Sequence, residues 1–281
     1  MALPDTIESL RRDPELGPNF VAWRELPPAP PRYGEMPEVL DPRLRDALAR
    51  RGIPRLYTHQ CEAAEAVLRG ECVVVVTPTA SGKTLCYNLP VLHTILGDPR
   101  ARALYLFPTK ALSQDQLHEL HGLIREVGED VKTFTYDGDT SGEARRKVRE
   151  AGHVVITNPD MLHTGILPHH TKWVKLFENL RFVVIDELHQ YRGVFGSHVA
   201  NVLRRLRRIC RFYGSDPLFI CCSATIANPK ELAENLVGKP MRLVDRNGAP
   251  RGRKVVAVYN PPVVNPELGI RRSAVGAVRA I

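Results

Sequence analysis

Six short runs of apolar, β-branched residues recur along this chain, and stretches of helical periodicity fill most of the gaps between them. The runs are 72–76 (CVVVV), 103–107 (ALYLF), 131–135 (VKTFT), 153–157 (HVVIT), 181–185 (RFVVI) and 218–222 (LFICC); the helical patterns lie at 83–96, 110–127, 141–150, 198–211 and 229–237. Strands that alternate with helices imply βαβ units and a mostly parallel sheet. Helices then cover both faces of that sheet, which is why the strand runs are apolar almost without a break. The fold class is α/β. Ahead of the first run, Asp41 and Pro42 read as the N-cap and first residue of a helix that ends near Arg51. A second helix is expected from Thr58 to Arg69, closed by Gly70.

The flanks differ in character. Residues 1–36 are rich in proline (PPAPPRYGEMP) and are expected to form an extended lead-in. Residues 37–250 hold the alternating pattern and form one domain. From 251 on there is one strand-like run, then turn chemistry, then eleven residues (RRSAVGAVRAI) that begin a helical pattern; residues 251–281 are expected to be a linker and the truncated start of another domain. The longest apolar runs are strand-sized, far below the ~20 residues of a membrane span. The N-terminus mixes acidic with basic residues and is neither a signal nor a transit peptide, so a cytoplasmic protein is expected, with no membrane partner. The six cysteines form no C-x-x-C pair and read as reduced core residues. A net charge of +8 favours a polyanionic partner.

The segment ECVVVVTPTASGKTLCYNLP reads as strand, loop and helix. Backbone amides of such a loop, at the start of the following helix, cradle the phosphates of a bound ATP. Thr79, Ala80, Ser81, Gly82, Lys83, Thr84 and Leu85 would contact the nucleotide, with Lys83 neutralising phosphate charge and the Thr84 hydroxyl ligating Mg²⁺. Thr77 stands where the usual pattern has glycine, six residues before the lysine. The run RFVVI ends in Asp186–Glu187–Leu188–His189, which puts a carboxylate at the carboxyl edge of the sheet. Asp186 would hold Mg²⁺ and Glu187 would be the general base on the attacking water.

At this point the chain resembles a known family. Residues 40–250 are similar to the first RecA-like motor domain of a superfamily 2 DExH-box helicase. Six segments match in the family's order: Tyr57–Thr58–His59–Gln60, TPTASGKT, PTKALSQDQ (108–116), TNPDML (157–162), DELH and Ser223–Ala224–Thr225. PTKALSQDQ, YDGDT (136–140) and DELHQYRGVFGSHVANVLRRL are most similar to the MrfA/YprA-type DNA helicases. The resemblance implies a RecA-like P-loop NTPase fold that uses ATP and Mg²⁺ to move along nucleic acid, DNA rather than RNA, on a single-stranded track, in a DNA-repair setting. It implies that Gln60 reads the adenine edge and that Tyr57 packs near the base. It assigns Thr109, Lys110, Thr157 and Asp160, at the ends of two strands, to the single strand. It gives His189, Ser223 and Thr225 the coupling of the ATP state to a second RecA-like domain, with the two hydroxyls bonded toward the acidic box. That second domain, which would supply an arginine to the hydrolysis site, is expected to be missing from this chain. The isolated chain would then bind ATP but turn it over weakly.

Several features have plainer readings. Asp160, after Pro159, also suits a helix cap. In RRLRRICR (204–211) the arginines fall opposite an apolar face of Val199, Val202, Leu203, Leu206, Ile209 and Cys210, so a solvated surface is expected there. His153, His163, His169 and His170 lack a metal-ligand geometry, and Asp137–Gly138–Asp139 reads as a turn. Two alternatives stay open: an RNA helicase domain, or a non-hydrolytic nucleotide-binding module. DELH instead of DEAD argues against RNA, as does Arg43 where RNA helicases place an adenine-stacking aromatic. Glu187 argues against a module that only binds.

Overall fold

The computed structural model describes residues 3–271, which fall into two units: residues 31–249, and the two flanks outside them. In the smaller unit α1 (Leu3–Arg12) precedes β1 (Phe20–Leu26). β1 pairs antiparallel with Lys254–Tyr259 from the other end of the chain. Phe20 packs between Trp23 and Tyr259, at 4.8 and 5.2 Å between ring centres, and Arg253 pairs with Glu25 at 2.8 Å. The first 36 residues are therefore not simply an extended lead-in. A short hairpin, Val263–Asn265 with Ile270–Arg271, follows. Arg272, Ser273 and the rest of the C-terminal helical pattern lie outside the described residues.

Through the larger unit the elements run α2 (Pro42–Arg50), α3 (Thr58–Leu68), β2 (Val73–Val76), α4 (Lys83–Gly97), β3 (Arg102–Leu106), α5 (Lys110–Val127), β4 (Thr133–Thr135), α6 (Gly142–Ala151), β5 (Val154–Thr157), the single turn α7 (Pro159–Met161), α8 (Val174–Asn179), β6 (Leu180–Ile185), α9 (Gly193–Phe212), β7 (Leu218–Ser223), α10 (Pro229–Val237) and β8 (Arg242–Val244). Seven strands make one parallel sheet in the order β4-β5-β3-β6-β7-β2-β8. The last of these, a three-residue edge strand, was not anticipated, since three residues carry no readable period.

Alternate residues of each strand feed two cores. Val73, Val75, Ala103, Tyr105 and Ile156 pack under α2–α5. Val74, Leu104, Leu106, Val155 and Val183 pack under α6 and α8–α10. Each fully buried valine or leucine contributes roughly 1.5–3 kcal/mol, so a polar substitution at either face of these strands would be severe. Asp41 caps α2 through its carboxylate, which accepts from the Arg43 amide at 2.9 Å. α9 starts five residues before the expected position. Gly196 permits this, because a Cβ there would stand 2.4 Å from the Tyr191 carbonyl oxygen, so only glycine lets the helix start against the preceding loop. All six cysteines are buried and free. Among the described residues, no helix is long and apolar enough to cross a membrane.

Candidate functional site

Every strand of the large sheet points its carboxyl end to the same edge, and the strand order divides that edge in two. β6, β7 and β2 are neighbours and carry Asp186, Ser223 and the Thr77–Gly82 loop. β4, β5 and β3 are neighbours and carry the turn 136–140, Asn158–Asp160 and Thr109–Lys110.

In the first half, β2 is buried and Thr77 leaves it fully enclosed. The Thr77 hydroxyl meets the Ser81 hydroxyl at 2.6 Å, which gives the residue in the glycine position a purpose: it fastens the loop across its own base. Ala80 adopts a left-handed φ of 59° and Gly82 one of 78°. A Cβ on Gly82 would also lie 2.6 Å from the Gln60 Nε2, so conformation and contact both require glycine there. Lys83 opens α4 and its ammonium donates to the Thr77 and Pro78 carbonyls at 2.9 and 3.0 Å, holding a positive charge over the loop. Thr79 and Ala80 are exposed on the loop, and Leu85 is half-buried on the first turn of α4.

Thr84 and Asp186 are linked by two residues that the sequence reading gave no role. The Thr84 and Tyr87 hydroxyls both donate to Gln116 Oε1, at 3.0 and 2.8 Å. Tyr87 also reaches Asp186 Oδ2 at 3.5 Å. Gln116 closes the PTKALSQDQ segment, and that position was its only signal. Burial pushes the Asp186 carboxyl up to about 6, with the nearby Glu187 charge acting in the same direction and the Glu187 amide and Lys83 against it. A buried carboxylate and a hydroxyl are hard oxygen donors of the kind that suits Mg²⁺. Glu187 has a left-handed φ of 51°, and its amide donates to Asp186 Oδ1 at 2.8 Å. A strained non-glycine residue of this kind persists only where its surroundings fix it.

The coupling residues depart from expectation. His189 Nδ1 lies 3.2 Å from Glu187 Oε2 and 3.4 Å from the Ala224 amide, so the segment after β7 meets the acidic box through a backbone N–H. Ser223 is buried and its hydroxyl has no partner among the described residues; Thr225 is exposed. Neither hydroxyl bonds toward the acidic box.

Gln60 is buried and fixed at both ends of its amide: Oε1 accepts from the Tyr57 amide at 2.9 Å and Nε2 donates to the Gly82 carbonyl at 2.9 Å. One N–H and one lone pair stay available for a base edge. A cleft of about 410 Å³ opens beside it, lined by Tyr33, Arg55, Tyr57, Gln60, Gly82 and Leu85. Tyr33 stacks on Tyr57 with centres 5.5 Å apart, and the Arg55 guanidinium lies 4.0 Å over the Tyr33 ring. Arg43 is elsewhere, paired with Asp41 and Glu129. An aromatic upstream of Tyr57 thus lines this cleft as Tyr33, and Arg43 lies outside it. His59, also buried, bonds the Ser81 carbonyl at 3.1 Å and accepts from the Gly248 amide at 3.1 Å; burial lowers its pKa.

In the second half, Thr109 caps α5, accepting from the Leu112 amide at 3.4 Å. Lys110 is exposed and pairs with Asp137 at 3.4 Å and with Asp139. Those two aspartates belong to a turn held by Asp137 Oδ1, which accepts from the Asp139 amide and the Thr140 hydroxyl. Thr157 is turned inward and its hydroxyl donates to the Tyr136 carbonyl at 2.6 Å, so its side chain is unavailable to a strand lying on the edge. The cap of α7 is Asn158, which accepts from the Met161 amide at 2.8 Å, and not Asp160, which is exposed.

The sequence pattern of DEAD/DEAH box helicases matches residues 57–232. Over 263 residues the chain is 67% identical to the ATP-dependent helicase YprA of Bacillus subtilis (strain 168), covering 94% of this chain and 35% of that one. The ATP-dependent helicase HRQ1 of Saccharomyces cerevisiae is 43% identical over 213 residues, 74% of this chain and 20% of its own length. Among solved structures, the DUF1998 helicase MrfA bound to DNA and AMPPNP superposes with a TM-score of 0.91 at 65% identity, over 98% of this chain and 38% of that one. The chain thus spans between 20% and 38% of the length of these relatives.

Proposed function

Since this chain belongs to the DEAD/DEAH box helicase family, we propose that it is the ATP-binding N-terminal motor domain of an ATP-dependent DNA helicase. The observation that carries this reading is the hydrogen-bonded line from Thr84 through Gln116 and Tyr87 to Asp186. It ties the phosphate loop to the acidic box, as a site for a phosphate chain and its cation requires. The DNA-bound relative supports DNA as the polyanion, in keeping with the net charge of +8.

In this reading the base enters the cleft beside Tyr33, Tyr57 and Arg55, and Gln60 offers its remaining N–H and lone pair to the adenine edge. Amides of residues 79–85 and the Lys83 ammonium take the phosphates. Thr84 and Asp186 would hold Mg²⁺, which would supply neutralisation of the charge on the phosphates. Glu187 accepts the proton of the attacking water, its carboxylate steered by His189. His189 Nδ1 lies beside both Glu187 and the Ala224 amide and serves one at a time, donating to the carboxylate when protonated or accepting from the amide when bare, so the segment after β7 exchanges with the acidic box for this one nitrogen. The single strand crosses Thr109, Lys110 and the Asn158–Asp160 turn, where a hydroxyl, an ammonium and backbone amides face outward. A second RecA-like domain would supply the arginine that completes hydrolysis. DNA repair is the setting we favour.

A fluorescent ATP analogue titrated onto the chain with and without Mg²⁺ tests the nucleotide half. Saturable binding that needs Mg²⁺ and disappears in Lys83→Ala is expected; equal binding by that variant would overturn the assignment. With this chain joined to such a second domain, ATPase stimulation by single-stranded DNA but not by RNA of the same length is expected. The reverse preference would favour the RNA reading.

A further inference from the structure

We propose that the outer face of α9 is a second stretch of the single-strand path, taking the sugar–phosphate backbone as it leaves the β5 end of the sheet edge. The inference rests on the nucleic-acid reading above. It also revises the expectation that the arginines of RRLRRICR form only a solvated surface.

The inward face of α9 is accounted for: Val199, Leu203, Leu206 and Cys210 are buried in the core. Its outward face is not. Arg204, Arg208 and Arg211 are exposed and Arg205 is half-exposed. Arg204 donates to Asn201, and none of the four faces a carboxylate within ion-pair distance among the described residues. Other arginines of the same unit divide: Arg43, Arg50, Arg51, Arg69, Arg146 and Arg242 each meet one, and scattered ones such as Arg125 and Arg149 do not, so it is the grouping of four on a single helix that sets this face apart. Arg207 is set apart from the four because it caps the end of α10 through the Val237 and Gly238 carbonyls. Four guanidiniums without counter-charges on one helix face ask for an external polyanion.

The surface also has shape. A cleft of about 420 Å³ lies between α9 and the turn after β5, with Asp160, His163, Phe195, Arg205 and Arg208 on its walls. A second cleft of about 460 Å³ continues along the helix past Arg204, Arg208 and Arg211. Asn201 and Arg208 line both, so the two are neighbours along the helix. Arg204, Arg208 and Arg211 follow one another at roughly 6 and 4.5 Å along the helix axis, within reach of successive phosphates for side chains of that length. Phe195, 44% exposed, stands in the first cleft as a flat apolar plate. An aromatic plate interleaved with basic side chains suits a stacked base and its backbone, whereas an acidic peptide would have no use for the plate. The first cleft begins at Asp160, on the very turn that ends the proposed sheet-edge track.

The test is anisotropy of labelled oligo-dT, about 6 and about 18 nucleotides long, on the unaltered chain and on Arg205→Gln/Arg208→Gln/Arg211→Gln across a salt series. The short oligomer should bind both proteins alike. The long one should bind the variant at least about tenfold more weakly, with a log–log salt slope shallower by about 2, near 0.7 for each lost single-strand phosphate contact. Phe195→Ala should weaken the long oligomer while leaving the salt slope unchanged, a split that a disturbed helix would not produce. Unaltered binding of the ATP analogue certifies the fold; if the triple variant loses it, Arg208→Gln alone carries the same comparison. Unchanged long-oligomer affinity in the α9 variants, with both oligomers weakened by Lys110→Ala, overturns this inference and leaves the DNA reading standing. A loss seen only for a polyglutamate probe also overturns it, in favour of an acidic protein partner. If neither oligomer binds the unaltered chain, the DNA reading falls first and this inference with it.

Discussion

The two halves of the sheet edge are built from the same kind of strand ends, yet they are held in opposite ways. On the β6-β7-β2 half, Thr77, Ser81, Gln60 and Asp186 are all buried, and hydrogen bonds join loop to helix to strand. On the β3-β5-β4 half, Thr109, Lys110 and Asp160 are exposed, and Lys110 is shared with two carboxylates of a neighbouring turn. The first half is arranged before any ligand arrives; on the proposed nucleic-acid reading, the second has to exchange its own ion pair for a phosphate. Changes in the first should therefore move chemistry and stability together, while changes in the second should move only affinity and its salt dependence.

The largest effect is expected from Glu187→Gln. Loss of a positioned general base typically costs 10²–10⁴ in rate, so single-turnover phosphate release should fall by about that much with the affinity for ATP retained. Unchanged turnover would remove Glu187 from the mechanism. Next is Asp186→Asn, read by thermal unfolding without divalent cations. The folded carboxyl sits at about 6 against an ordinary 3.8. Below the lower value both states are protonated and burial costs nothing; as the pH rises through the upper value, folding must bury a charge, at about 3 kcal/mol by neutrality. The asparagine variant should thus melt several degrees higher at pH 7.5, with the gain vanishing toward pH 4. A variant less stable at pH 7.5 would contradict the preorganised picture.

Thr77→Val keeps the shape but leaves the Ser81 hydroxyl buried without its partner, a loss of roughly 1–3 kcal/mol. Thr77→Gly, which restores the usual pattern residue, should lose stability too; if the glycine variant matched the parent in denaturant midpoint, the Thr77–Ser81 contact would be incidental. The smallest effect belongs to the other half. Lys110→Ala should weaken oligo-dT only a few-fold and flatten its salt slope by about 0.7, with no change in melting temperature. A drop of several degrees would mean that this half is as structurally committed as the first.

The sequence made the first half legible because its chemistry is local: a strand, a glycine at residue 82, a lysine and a threonine within a dozen residues. The core strands were legible for a similar reason, since burial on both faces leaves an unbroken apolar run. What escaped depends on distance or direction. Tyr33 sits in a proline-rich stretch and meets Tyr57 through an isolated bridge and a ring stack that only the folded chain forms. β1 finds its partner more than 200 residues away. Thr157 has the right residue type at the right strand end, but its side chain points to the Tyr136 carbonyl, and period-2 alternation at the last residue of a strand does not say which way it will turn. Gln116 lay inside a recognised segment, yet only the folded chain brings it to Thr84.

The buried cysteines lend themselves to a different use. Cys86 lies one turn into the helix behind the phosphate loop, and Cys221 and Cys222 lie on the strand that ends at Ser223. Burial pushes the Cys86 thiol up to about 12 and raises Cys221 and Cys222 as well, so in the closed protein they are poor nucleophiles shielded from reagents. A maleimide or disulfide reagent would then label them only during excursions that part the sheet from its helices. Labelling rate becomes a clock for the breathing of the layer beneath the nucleotide site, and slower labelling with bound ATP would report how far the ligand quiets that layer.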